Sequence, residues 1–137
     1  FKNNSALYGG AVYSSYANIF NSTFVNNYAK YKGGAVHLSY ILVYASESEL
    51  LSSSDAPDKN IISGCIFNNN SAEFSAAVYS YNDISIDLCE FNSNTALNDS
   101  GAFTSYGKNI EISLKYYDTN FTLDYFEFVE KCKQFIL

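Results

Sequence analysis

The sequence predicts an all-β fold, a right-handed parallel β-helix (solenoid) of about five coils with a C-terminal capping helix. Three observations carry this expectation. One short motif occurs four times, a second motif that holds glycine in three of its four versions follows each copy, and the copies recur at a period close to 24 residues once one insertion is taken out.

The first motif is Phe1-Lys2-Asn3-Asn4-Ser5-Ala6, which returns as Phe24-Val25-Asn26-Asn27-Tyr28-Ala29, Phe67-Asn68-Asn69-Asn70-Ser71-Ala72 and Phe91-Asn92-Ser93-Asn94-Thr95-Ala96. The second is Gly9-Gly10-Ala11-Val12, then Gly33-Gly34-Ala35-Val36, then Ser75-Ala76-Ala77-Val78 and Ser100-Gly101-Ala102-Phe103. The Phe-to-Phe spacings are 23, 43 and 24. Taking one period from the long spacing leaves an insertion of about 19 residues, placed at about 39–60. A period near 24 is too short for paired helices and fits one turn of a β-solenoid.

The pieces between the motifs read as strands. Ile84-Ser85-Ile86-Asp87-Leu88 alternates at period two, so Ile84, Ile86 and Leu88 share a face. Cys89 and Phe91 fall out of phase with Leu88, which predicts a bend near Leu88 and Cys89. The Asn residues after each Phe suit a tight corner, because Asn tolerates left-handed backbone. The Gly-Gly pair marks a second corner, where a Cβ would obstruct the chain. Equivalent strands of successive coils then lie parallel, about 4.8 Å apart, and equivalent side chains stack. The expected ladders are Phe1, Phe24, Phe67 and Phe91; Asn4, Asn27, Asn70 and Asn94; and Val12, Val36, Val78 and Phe103. Crossovers between parallel strands are nearly always right-handed, which sets the hand.

Residues 1–121 are assigned to the coils and 122–137 to an amphipathic helix. In that tail Tyr125, Phe128, Val129, Cys132, Phe135 and Ile136 fall at helical spacing, with Asp124, Glu127, Glu130, Lys131 and Lys133 mostly opposite. Its polar face is not strongly basic, so a cap over the stack is favoured over a membrane-surface helix. The insertion holds Tyr40-Ile41-Leu42-Val43-Tyr44, which can continue a strand, and a polar, acidic stretch with Pro57. It reads as a tolerated loop, with a binding excursion as the sharper alternative. The chain has no Met and opens inside a repeat, so a piece of a longer protein is expected.

The pattern of Phe1/Asn4, Phe24/Asn27, Phe67/Asn70 and Phe91/Asn94, with the two Gly-Gly-Ala-Val motifs, resembles the repeat of the polymorphic outer membrane proteins. The resemblance covers roughly residues 1–113, and the third and fourth glycine motifs depart from it. It implies a right-handed β-helix, a cell-surface or secreted location, and a role in adhesion or surface display.

Composition narrows the remaining classes. A chain of 137 residues with 47% apolar content has enough material for a core and is no disordered tail. The net charge is −6 and every basic residue is Lys, which argues against nucleic acid as a partner. No apolar run is long enough for a transmembrane helix. Cys65 and Cys89 each precede a ladder Phe by two residues, so they occupy equivalent places in adjacent coils. Either a disulfide or a buried reduced pair fits that stacking. No Cys/His spacing supports a metal site, and no cofactor is expected.

His37, the single histidine, follows Gly-Gly-Ala-Val where the other copies place Tyr13, Tyr79 and Thr104. These positions read as an outward column, so Tyr13, His37 and Tyr79 are the candidate surface-binding residues, for glycans or for host or cell-surface proteins. Sequons at Asn3, Asn21, Asn69, Asn98 and Asn120 are close to what so Asn-rich a composition yields by chance. Catalytic residues are not expected. The alternatives are a carbohydrate-active, pectate-lyase-like β-helix enzyme using the carboxylates near Asp83, Asp87 and Glu90, or a plain structural spacer.

Overall fold

The computed structural model of the chain describes residues 1–39, 60–98, 100–107 and 110–120, the last seven of them as backbone. Every element among the described residues is a strand. In chain order these are β1 (Ser5–Tyr8), β2 (Val12–Ser14), β3 (Asn18–Phe20), β4 (Thr23–Val25), β5 (Tyr28–Lys32), β6 (Val36–Leu38), β7 (Asn60–Ser63), β8 (Ile66–Asn68), β9 (Ser71–Ala72), β10 (Val78–Ser80), β11 (Ile84–Ala96), β12 (Phe103–Ser105) and β13 (Ile110–Asn120).

All pairings between these strands are parallel, and they form two sheets. The four-stranded sheet runs β12-β10-β6-β2. The nine-stranded sheet runs β1-β5-β9-β11-β7-β3, with β13 on β11 and with β8 joining β4 to β11. The register advances by one sequence repeat per strand. Phe24 pairs with Phe67 and Phe67 with Phe91, while Val12, Val36, Val78 and Phe103 pair in succession.

Register turns the sequence motifs into columns. The rings of Phe1, Phe24, Phe67 and Phe91 stack with centroids 4.8, 4.9 and 5.0 Å apart and planes within 9°. Phe91 then meets Phe103 at 5.8 Å, which joins this column to the valines of the smaller sheet. Ile19, Ile62, Ile84, Ile86 and Ile112 complete the core, each large side chain there contributing about 1.5–3 kcal/mol on burial.

A polar column runs through the same interior. Asn4 Nδ2 donates to Asn27 Oδ1, Asn27 Nδ2 to Asn70 Oδ1, and Asn70 Nδ2 to Asn94 Oδ1, at 2.9–3.0 Å. Each acceptor oxygen also takes the backbone N–H of the preceding Asn. Burying an amide is costly unless it is bonded, and here each one is bonded by its own copy in the next repeat.

The corners are left-handed. Asn3, Asn26, Asn69 and Ser93 have φ of 58°, 56°, 54° and 53°, one residue ahead of each ladder Asn. A second corner holds Asn21 (φ 48°), Gly64 (φ 64°) and Leu88 (φ 50°). The glycine corner places Gly9, Gly33 and Ser75 at positive φ. At its next position a Cβ on Gly34 would collide with the carbonyl oxygen of Ala76, which is close approach of backbone to backbone. Ala76 carries a Cβ at that place in the third repeat. There the bonds to the fourth repeat are 3.3 Å from Ala76 N to Ser100 O and 3.2 Å from Ala77 N to Ala102 O, against 3.2 and 3.1 Å for the same bonds from Gly34 and Ala35.

The expected insertion falls between β6 and β7, and 40–59 lie outside the described residues. So does 121–137, the segment of the expected capping helix.

Candidate functional site

Because side chains alternate along a strand, Val36 and Leu38 face the core and His37 faces the other side of the small sheet. Its register partners are Tyr13 on β2 and Tyr79 on β10, and Tyr79 in turn pairs with Thr104 on β12. This outward column is not open along its length. Tyr13 is 61% exposed, but His37 is 3% and Tyr79 is 4% exposed, which corrects the expectation that all three are surface residues.

The cover comes from residues on either side of the glycine corner. Tyr8 and Tyr31 stand just before it, and Tyr81 and Tyr106 follow β10 and β12. His37 lies between Tyr13 at 5.1 Å and Tyr79 at 5.4 Å, with Tyr8 edge-on at 5.4 Å and Tyr81 at 6.0 Å. Tyr79 contacts Tyr81 at 5.1 Å and Tyr106 at 5.7 Å. Lys32 Nζ sits over the Tyr79 and Tyr81 rings at 4.7 and 5.2 Å and donates to Tyr81 Oη at 2.6 Å. Rings stacked along a column use each other's faces, so only an end ring keeps a face for another molecule. Tyr13, 61% exposed, and Tyr106, 59% exposed, both keep such a face.

A bulge explains how Lys32 reaches this cluster. Between Ala29 and Gly33 the second repeat has one residue more than the first has between Ala6 and Gly9. The register between β1 and β5 shifts accordingly, so Tyr8 pairs with Lys32. Lys32 also bridges to Phe74 of the third repeat.

The site is electrostatically uneven. The hydrogen bond from Lys32 holds the Tyr81 phenol below its ordinary range, whereas burial pushes the Tyr79 phenol up. Burial also lowers His37 from 6.5 to about 4, against a smaller raising effect of its hydrogen bond to the Lys32 backbone. Two buried side-chain atoms among the described residues have no hydrogen-bond partner, His37 Nδ1 and Asn60 Nδ2.

Cys65 and Cys89 are both buried and are free thiols, so the structure holds the unbridged alternative. Each Sγ lies near backbone carbonyls, Cys65 near Ser63 O at 3.4 Å and Cys89 near Asp87 O at 3.3 Å. The hydrogen bond between the two thiols, then burial, pushes Cys89 up. Asp87 and Glu90 lie on β11 and Asp83 just ahead of it. No group of three His, Cys, Asp or Glu among the described residues is arranged to hold a metal ion.

Sequence reasoning found Tyr13, His37 and Tyr79 and missed Tyr8, Tyr31, Lys32, Tyr81 and Tyr106. A signal for Tyr8 and Lys32 was present: an aromatic or cationic residue directly precedes each Gly-Gly pair.

The fold and this outer row define a stacked-repeat, all-β module with continuous inner ladders. The family model described as the Chlamydia polymorphic membrane protein (Chlamydia_PMP) repeat matches residues 21–39, which run from the corner at Asn21 through Phe24, Asn27 and Gly33-Gly34-Ala35-Val36. The repeat that the motifs resemble is therefore present in this chain. Neither a curated protein nor a solved structure matches. No helix among the described residues is long and apolar enough to cross a membrane.

Proposed function

We propose that this chain is a non-catalytic module for surface display and adhesion, built as a right-handed parallel β-helix of about five coils. In this reading residues 1–121 form the coils, 39–60 an excursion from them, and 122–137 a helical cap. Its location is the cell surface or the extracellular space. The observation that carries the reading is the polymorphic membrane protein repeat at residues 21–39, set within columns that keep one register over four repeats. Such a rod supplies rigidity and repetition rather than a reaction.

Binding is assigned to the exposed tyrosines Tyr13 and Tyr8 of the outer row. A tyrosine face of this kind stacks on the apolar face of a sugar ring or on an aromatic anchor of a protein. The test is a glycan array with a cell-binding assay in parallel, using the wild-type chain and Tyr13→Ala. Binding that falls at least tenfold in the variant, with an unchanged circular dichroism spectrum, supports the assignment. Equal binding by both proteins removes Tyr13 from it. Release of sugars from pectin-like or β-glucan polymers, abolished in Asp87→Ala, would overturn the non-catalytic reading.

A further inference from the structure

We infer that His37 is an acid-sensitive joint, whose protonation loosens the first repeat, with Tyr8 and Tyr13, from the rest of the stack. This inference does not depend on what the module binds.

The ring's hydrogen bond to the Lys32 backbone favours the charged form, but less than burial opposes it, and the geometry offers no partner at the other nitrogen. His37 is almost fully buried, between Tyr8 and Tyr13 of the first repeat and Tyr79 and Tyr81 of the third. Its Nδ1 has no partner, so a proton added there becomes a buried donor without an acceptor. The groups facing the ring are phenols on β1, β2 and β10 and at Tyr81, together with Lys32 on β5. Among the described residues the charge acting on the ring is that of Lys32, and it repels a second cation. Tyrosine faces could otherwise stabilise an imidazolium, but Lys32 already lies over Tyr79 and Tyr81.

The direction in pH follows from linkage. An unfolded or locally opened His37 binds its proton near 6.5, while the buried ring holds out to about 4. Between these values the open form takes up a proton that the closed form does not. The closed form is therefore fully favoured above pH 6.5 and loses ground as pH falls towards 4. At about pH 4.5 the opening equilibrium is shifted on the order of tenfold to a hundredfold. Opening is read at β1 and β2, which carry Tyr8 and Tyr13 against the ring and pair with β5 and β6.

Two readouts test this. His37 is the single histidine, so one imidazole resonance reports its titration by NMR in the full chain. A midpoint near 4 is expected, and a midpoint between 6 and 7 would overturn the inference. Hydrogen exchange, expressed as protection factors, is then followed from pH 7 to 4.5. Amides of β1 and β2 should lose at least tenfold protection in the wild type and keep it in His37→Tyr, which copies the residue at positions 13 and 79. His37→Gln serves if the larger ring disturbs folding. Equal loss of protection in wild type and variants would assign the effect to carboxylates and sink the proposal.

Discussion

The inner and outer faces of the same strands follow different rules. On the inside the Phe column and the Asn column each repeat one chemistry, and their contacts are nearly identical from step to step: Phe rings 4.8, 4.9 and 5.0 Å apart, and Asn amides bonded at 2.9–3.0 Å. On the outside the aligned residues are Tyr13, His37, Tyr79 and Thr104, and the ring planes differ by 32° at one step and 19° at the next. In these two columns register dictates the residue, because a like side chain completes the stack or the amide chain, whereas the inner column of Val12, Val36, Val78 and Phe103 asks only for an apolar side chain. Outside, each repeat changes residue and the row acquires local chemistry, including a buried imidazole and a lysine among phenols.

The largest effect that tests this difference is at the middle of the polar column. Asn70 Oδ1 accepts from both the backbone N–H and Nδ2 of Asn27, and its Nδ2 donates to Asn94 Oδ1 and the Phe24 carbonyl. Asn70→Ala leaves buried donors without acceptors and is expected to cost about 3–5 kcal/mol in urea unfolding. Asn4→Ala removes only donors and orphans nothing, so it should cost about 1 kcal/mol. Equal losses at the two positions would show that the column has no direction and that burial alone matters.

The glycine corner comes next. Gly34→Ala drives a Cβ into the Ala76 carbonyl and the Ser71 backbone, neither of which can move without disturbing the ladder. A loss of about 2–3 kcal/mol is expected, read by the same unfolding experiment. Ala76→Gly, at the equivalent place where the chain already accommodates a Cβ, should change stability by less than about 1 kcal/mol.

Much of the inner face can be read from sequence because a residue type recurring at one period has a single stacking partner. The break of phase between Leu88 and Cys89 likewise marks a real corner, with Leu88 at φ 50°. The outer row is harder to read. Whether His37 is exposed depends on Tyr8, Tyr81 and Lys32, which come from three other segments, and on a bulge that offsets Tyr31 and Lys32 by one place. Periodicity reports the face on which a side chain stands. It does not report what folds over that face from neighbouring strands.

The smallest predicted effect concerns a residue that obeys neither rule. Leu88 occupies the corner filled by Asn21 and Gly64 in the earlier repeats, yet it has φ 50° and a side chain 57% exposed. A left-handed backbone costs an ordinary L-residue about 1–2 kcal/mol, and Asn less. Leu88→Asn, which restores the residue of the first repeat, should therefore stabilise the chain by about 0.5–1 kcal/mol, or about 1–4 °C in a thermal melt followed by circular dichroism. The exposed part of the leucine gives up little burial in exchange. If the variant melts lower than wild type, the contacts of Leu88 outweigh its strain, and this corner belongs with the inner columns, where packing sets the residue. If it melts higher, the chain carries an exposed apolar side chain at a cost in backbone energy. That places the corner with the outer row, where the residue is not chosen by stability.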